Sequence, residues 1–160
     1  MDEGDHHPLW RFACALYAQP GVAEYCLALQ DEADVNVCVV LWAIWLGRQG
    51  VALPEPILCE ALARLAPWDE QVRALRALRR ALKAPIVTVN TACQERVRRC
   101  VKAAELQAEQ GSLLLLAGIL TASAASVTDA REQIRANLVR VVPAARSSVI
   151  AGLIAAAQAM

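Results

Sequence analysis

Residues 34–50 read DVNVCVVLWAIWLGRQG, and this run decides the fold. From 35 to 46 it is apolar almost all round, yet only about twelve residues long, well short of the ~20 a bilayer-spanning helix needs. A short helix apolar on every side belongs at the centre of a bundle. Asp34 or Asn36 can cap it by accepting free backbone N–H bonds. Cys38, Trp42 and Trp45 share one stripe, and Gly47 and Gly50 mark its end.

Helical patterns continue on both sides. Upstream, Pro8 suits a first helical position, and Trp10, Cys14 and Tyr17 repeat on one face. Pro20-Gly21 breaks that helix, and residues 22–32 form the next, with Val22, Cys26 and Leu29 inward. Residues 1–7 are polar and read as a disordered tail. His6 and His7 lie in it without the spacing of a metal site, so no metal is expected. Downstream, Pro54-Glu55-Pro56 opens a helix with Leu58, Leu62 and Leu65 inward, and Pro67 separates it from another at 68–83. Residues 86–89 are β-branched but have no strand to pair with, so they read as an extended linker. Thr91-Ala92-Cys93-Gln94 reads as a capping box for a helix stopping at Gly111. One more covers 113–125, Thr128 caps the next, and Pro143 divides that from the last. The expected fold is all-α: a compact, single-domain bundle of about eight helices over residues 8–160.

Composition narrows the function classes. Residues 1–70 hold eleven acids against three arginines, a net of −8; residues 71–160 hold thirteen basic residues against five acids, a net of +8. Between Arg73 and Lys102, nine basic residues face only Glu95. The two halves are expected to neutralise each other in the fold; a head-to-tail partner contact or an anion site is the sharper alternative. The start Met1-Asp2-Glu3-Gly4-Asp5 is acidic where an export signal is basic, so a cytoplasmic location is expected. Cys14, Cys26, Cys38, Cys59, Cys93 and Cys100 then stay reduced, and most read as small buried hydrophobes. The apolar stretches 113–128 and 141–160 are rich in small residues, and the second carries Pro143 and Arg146, so membrane insertion is not expected.

Residues 68–83 carry the most information. At 100° per residue, Trp68, Val72, Leu75, Leu78 and Leu82 form an apolar arc. Arg73, Arg76, Arg80 and Lys83 form a basic stripe beside it. Arg79 lies inside the arc, where a guanidinium needs a partner. Asp31, Asp34 and Glu60 are the acids expected to supply one. Either the pair is structural, or Arg79 with Arg76 or Arg80 meets a carboxylate or phosphate ligand. Arg96, Arg98, Arg99 and Lys102 extend the basic surface, but no helix-turn-helix, zinc module or stacking aromatic set accompanies them. Nucleic acid is therefore not an expected partner. There is no glycine-rich phosphate loop, no G-x-S-x-G, no H-E-x-x-H, and no histidine after His7. An enzyme is thus not favoured, and no cofactor is expected.

Several residues in order resemble an uncharacterised proteobacterial family, domain of unknown function 2390. They are Leu9-Trp10-Arg11-Phe12, Leu16-Tyr17-Ala18, Pro20-Gly21-Val22-Ala23 and Cys26-Leu27 with Leu29-Gln30-Asp31. Asp34-Val35-Asn36, Leu41-Trp42, Trp45-Leu46, Trp68, Leu75-Arg76, Arg79-Arg80, Leu82-Lys83, Glu105-Leu106 and Glu109 continue the match. The resemblance implies a small bacterial protein without an assigned activity. It points to Gln30, Asp31, Asn36, Trp42, Trp68, Arg76, Arg79 and Arg80 as residues to find together. With Asp34 these form a candidate polar cluster, and Trp10, Trp42, Trp45 and Trp68 a candidate aromatic lining. The functional expectation is an interaction or regulatory module that self-associates or binds a protein partner. The alternative is a binder of a small anionic or lipid-like ligand through a pocket containing Arg79 and Asp31.

Overall fold

The structure is a computed structural model, and it describes residues 7–119 and 129–160. Among them are seven α-helices and no strand: α1 (Pro8–Tyr17), α2 (Val22–Ala33), α3 (Val37–Arg48), α4 (Glu55–Ala81), α5 (Thr91–Ala117), α6 (Ala130–Val141) and α7 (Ser147–Gln158). None of the described helices is long and apolar enough to cross a membrane.

The apolar run forms the centre. Asn36 caps α3, its side chain accepting from Val39 N at 3.3 Å. Asp34 closes α2 instead, in a left-handed turn with φ 51°, a conformation that short polar side chains tolerate. α3 buries residues from Cys38 to Gly47 and packs most extensively on α6, then on α5 and α1. Gly47 stands in the last turn of α3, one residue before its end, and also serves packing. It lies where α3 meets α6, and a Cβ there would stand 2.6 Å from Ile134 Cα. The turn comes at Gly50, with φ 70°. Gly47→Ala is therefore expected to lower stability by about 2 kcal/mol in urea denaturation. Gly118→Ala, whose Cβ would meet no atom closer than 3.5 Å, is the control and should cost much less.

Two expected breaks are absent. α4 runs through Pro67, and α5 runs through Gly111. Proline removes one helical hydrogen bond at a cost of about 3 kcal/mol, but Ala63, whose carbonyl is freed, is exposed and can reach water. Packing offsets the rest. Trp68 donates its indole N–H to Ala108 O at 2.8 Å, and its ring lies over Gly111, where a Cβ would be 3.3 Å away. Gly111 is the seat of Trp68 rather than a stop. Along the predicted inward stripes, Leu58 and Leu65 are buried but Leu62 is 44% exposed. Of the arc around Arg79, only Val72 is fully buried.

The α4–α5 turn is also built differently from expectation. Asn90, not Thr91, caps α5, accepting from Ala92 N and Cys93 N at 2.9 and 3.3 Å. Gln94 closes the loop, accepting from Ile86 N and donating to Leu82 O and Ala84 O. The outer end of this antiparallel hairpin stands clear of the body: from 81 to 101, Gln94 alone is buried. His7 caps α1 and Asp129 caps α6. The expected cap Thr128 and the end of the helix placed at 113–125 lie outside the described residues. After Pro143, a short 3-10 turn (Ala144–Arg146) leads into α7, which packs on α2 and α6.

Candidate functional site

α1, the end of α2 and the start of α3 form one wall of an open cleft of about 790 Å³; the C-terminal half of α4 and residues 102–113 of α5 form the other. Helical periodicity explains the second wall. Asp69, Val72, Arg73, Arg76 and Arg80 recur at three- and four-residue spacing, so one face of α4 looks into the cleft. Glu105, Glu109 and Ser112 do the same on α5. The floor is apolar, with Val35, Val37, Leu41, Val72 and Leu113.

At the junction of the two helices sits a charge network. Glu105 Oε1 accepts from Arg76 Nε at 3.0 Å and Arg79 Nη2 at 3.2 Å, and its Oε2 accepts from Arg79 Nε. Arg76 Nη2 also donates to Glu109 Oε1 at 2.8 Å. Glu105 thus joins two guanidiniums, and Arg76 joins two carboxylates. Burial pushes the Glu105 carboxyl up, but Arg79 and Arg76 outweigh it and hold the group below its ordinary range. Glu109 goes the other way: burial raises it, and Arg76 offsets only part of this. Burial also raises Tyr17 and pushes the Cys26 thiol up to about 12, and it raises Cys38. Thiols held protonated in this way are poor nucleophiles.

Farther out, Arg73 pairs with Asp34 and Asp69, Arg80 pairs with Asp31, and Asn36 Nδ2 donates to Asp69 Oδ1 at 2.7 Å. The acidic first half therefore does meet the basic helix, although not through Arg79. That residue, 20% exposed at its side chain, takes Glu105 and none of Asp31, Asp34 or Glu60. Glu60 pairs with Arg64 on its own helix. The reason is helix phase. α4 packs along α5, so Arg79 turns toward α5 while Arg80, about 100° further round, faces α2.

Gln30, Asp31, Asp34, Asn36, Arg76, Arg79 and Arg80 all line the cleft. Of the four tryptophans, Trp10 alone lines it. Trp42 is fully buried in the core, Trp45 packs against that core, and Trp68 bridges α4 to α5. The aromatic lining is thus dispersed, and Tyr17 joins Trp10 in the cleft instead. Sequence reasoning underrated Glu105 and Glu109. The available signal was two acids at i, i+4 on the same side of a helix as Ala108, Ser112 and Leu113, three buried positions.

Lys102 also lines the cleft and has no carboxylate partner among the described residues. Among these residues, no three His, Cys, Asp or Glu side chains converge as a metal set. Comparison with known proteins finds one family model, matching residues 8–116. No curated protein and no solved structure matches the chain. The matched span contains every member of the charge network and leaves out α6 and α7.

Proposed function

Because the chain belongs to this family, described as Protein of unknown function (DUF2390), its role has to be read from its own cleft, and we propose that it binds a small amphiphilic molecule carrying an anionic group. The observation that supports this most is the pairing of an apolar floor with convergent polar groups in one cleft of about 790 Å³, within the roughly 300–1,000 Å³ usual for ligand sites. The apolar body of the ligand would lie on Val35, Val37, Leu41, Val72 and Leu113. Its anionic end would meet Lys102, which has no acid partner among the described residues, with Arg79 and Arg80 close by in the lining. The five cleft acids are held by arginines, which favours binding over proton transfer. Of the two roles the sequence left open, ligand binder and self-associating module, this cleft favours the ligand binder.

Ala77 lines the cleft and is exposed, so Ala77→Trp would fill the site without removing any ion pair. With dodecanoate or anilinonaphthalene sulfonate as the probe, wild type should bind with apolar burial. Ala77→Trp and Lys102→Glu should each weaken binding about tenfold or more, with unchanged melting temperature. Equal binding by all three proteins, or none by wild type, would refute the reading.

A further inference from the structure

The outer end of the α4–α5 hairpin has a role that the cleft does not explain. Its turn is Ala84-Pro85-Ile86-Val87-Thr88-Val89. Val87 is 99% exposed, and Ile86 and Val89 are more than 40% exposed. Val87 packs on nothing at the tip of this arm, and Ile86 and Val89 each leave a large part of an apolar side chain beside it in solvent. Behind them is a collar of cations. Lys83, Arg96 and Arg99 have no carboxylate partner among the described residues, whereas Arg98 is held by Glu95. Arg96 sits roughly 7 Å and Arg99 roughly 12 Å along α5 from its start. Helical side chains lean toward the N-terminus, so both reach toward the tip. Lys83 and Arg96 therefore come within about one Debye length, ~8 Å at physiological salt, of any surface the tip touches.

We infer that this tip docks on anionic lipid membranes, with Ile86, Val87 and Val89 entering the interfacial region, Lys83 and Arg96 meeting lipid phosphates and Arg99 set farther back. The partner has to be anionic, because the collar is cationic. A protein partner would need roughly 800 Å² of fitted surface, and a turn of six residues does not offer that. A bilayer requires no shape match: its mobile anionic headgroups can meet cations at staggered heights, and each apolar side chain gains by entering separately. Nucleic acid would satisfy the collar but not the apolar tip, and residues 71–104 hold no aromatic side chain for base stacking. Docking of this kind lies on the surface and requires no spanning helix.

Co-sedimentation of the full chain with phosphatidylglycerol–phosphatidylcholine vesicles tests the idea, with phosphatidylcholine vesicles as the comparison. Wild type should sediment with the anionic vesicles, less so as salt rises, and not with the neutral ones. Val87→Asp and the double variant Lys83→Glu/Arg96→Glu should each lose about tenfold in binding. Far-UV circular dichroism should be unchanged, since these side chains are exposed. Failure of wild type to sediment, or sedimentation of Val87→Asp like wild type, would overturn the inference. So would binding to duplex DNA that ignores Val87→Asp while the vesicles are ignored altogether, which would assign the collar to nucleic-acid phosphates.

Discussion

Glu105→Ala is expected to lower the stability of the fold by about 3 kcal/mol at neutral pH, read as a fall in the urea midpoint at unchanged slope. The Glu105 side chain is only 7% exposed and neutralises two guanidiniums that are themselves mostly buried. Among the described residues, removing it leaves Arg79 without an acid and Arg76 with Glu109 alone. Losing one partner of a buried pair costs several kcal/mol because the remaining charge stays desolvated. The figure sits at the low end of that range because both arginines keep some contact with water. The pH dependence carries a sign. The folded Glu105 carboxyl is held below its ordinary value. Its contribution is therefore full above the unfolded pKa, about 4.3, and is lost as pH falls through the lower folded value. Wild type should lose stability in acid over that window, and Glu105→Ala should lose less. Glu109 is raised by burial, so its ionised form costs stability at neutral pH. Glu109→Gln should accordingly be near neutral where Glu105→Gln is destabilising. Equal losses from both glutamine variants would refute this division of roles.

Asn137→Leu is expected to cost about 4 kcal/mol, counted at roughly 1–3 kcal/mol for each buried polar group left unpaired. Asn137 is 1% exposed on α6 and uses its whole amide. Its Oδ1 accepts from Leu53 N at 2.9 Å and Gln133 Nε2 at 3.0 Å. Its Nδ2 donates to Ala43 O at 3.1 Å and Val51 O at 3.0 Å. One side chain thus pins the linker between α3 and α4 onto both α3 and α6. Leucine matches it in size but satisfies neither the Leu53 N–H nor the Val51 carbonyl, and it leaves no room for a water to replace the amide. Thermal unfolding followed by circular dichroism checks this. A melting temperature within a degree or two of wild type would mean that the linker is held by other contacts.

The helical fold was legible because its evidence is local. The apolar run of α3, a cap at Asp34 or Asn36 and the stop at Pro20-Gly21 depend on neighbours a few residues away, and each lies in the structure where the sequence places it, with Asn36 as the cap. The polar residues of the cleft could also be singled out early, since charges set on or beside an apolar face, such as Arg76, Arg79 and Arg80, have to be satisfied somewhere. Their partners were not legible. Pro67 and Gly111 carry strong local signals to break a helix, worth about 3 and about 1 kcal/mol. Trp68 resting on Gly111 and bonded to Ala108 overrides both. Packing of α4 along α5 sends Arg79 to Glu105 instead of to Asp31 or Asp34. Gln133 and Asn137 were overlooked as two amides at i, i+4 in α6; their meaning depends on Val51 and Leu53, more than eighty residues away in the chain.

The sequence by itself determined that this chain is helical and that α3 lies at its centre, because periodicity and capping are properties of residues and their near neighbours. Only the tertiary structure decided which helices run unbroken, which acid each arginine takes, and that an apolar-floored cleft opens where they meet, because those outcomes depend on contacts between segments far apart in the chain.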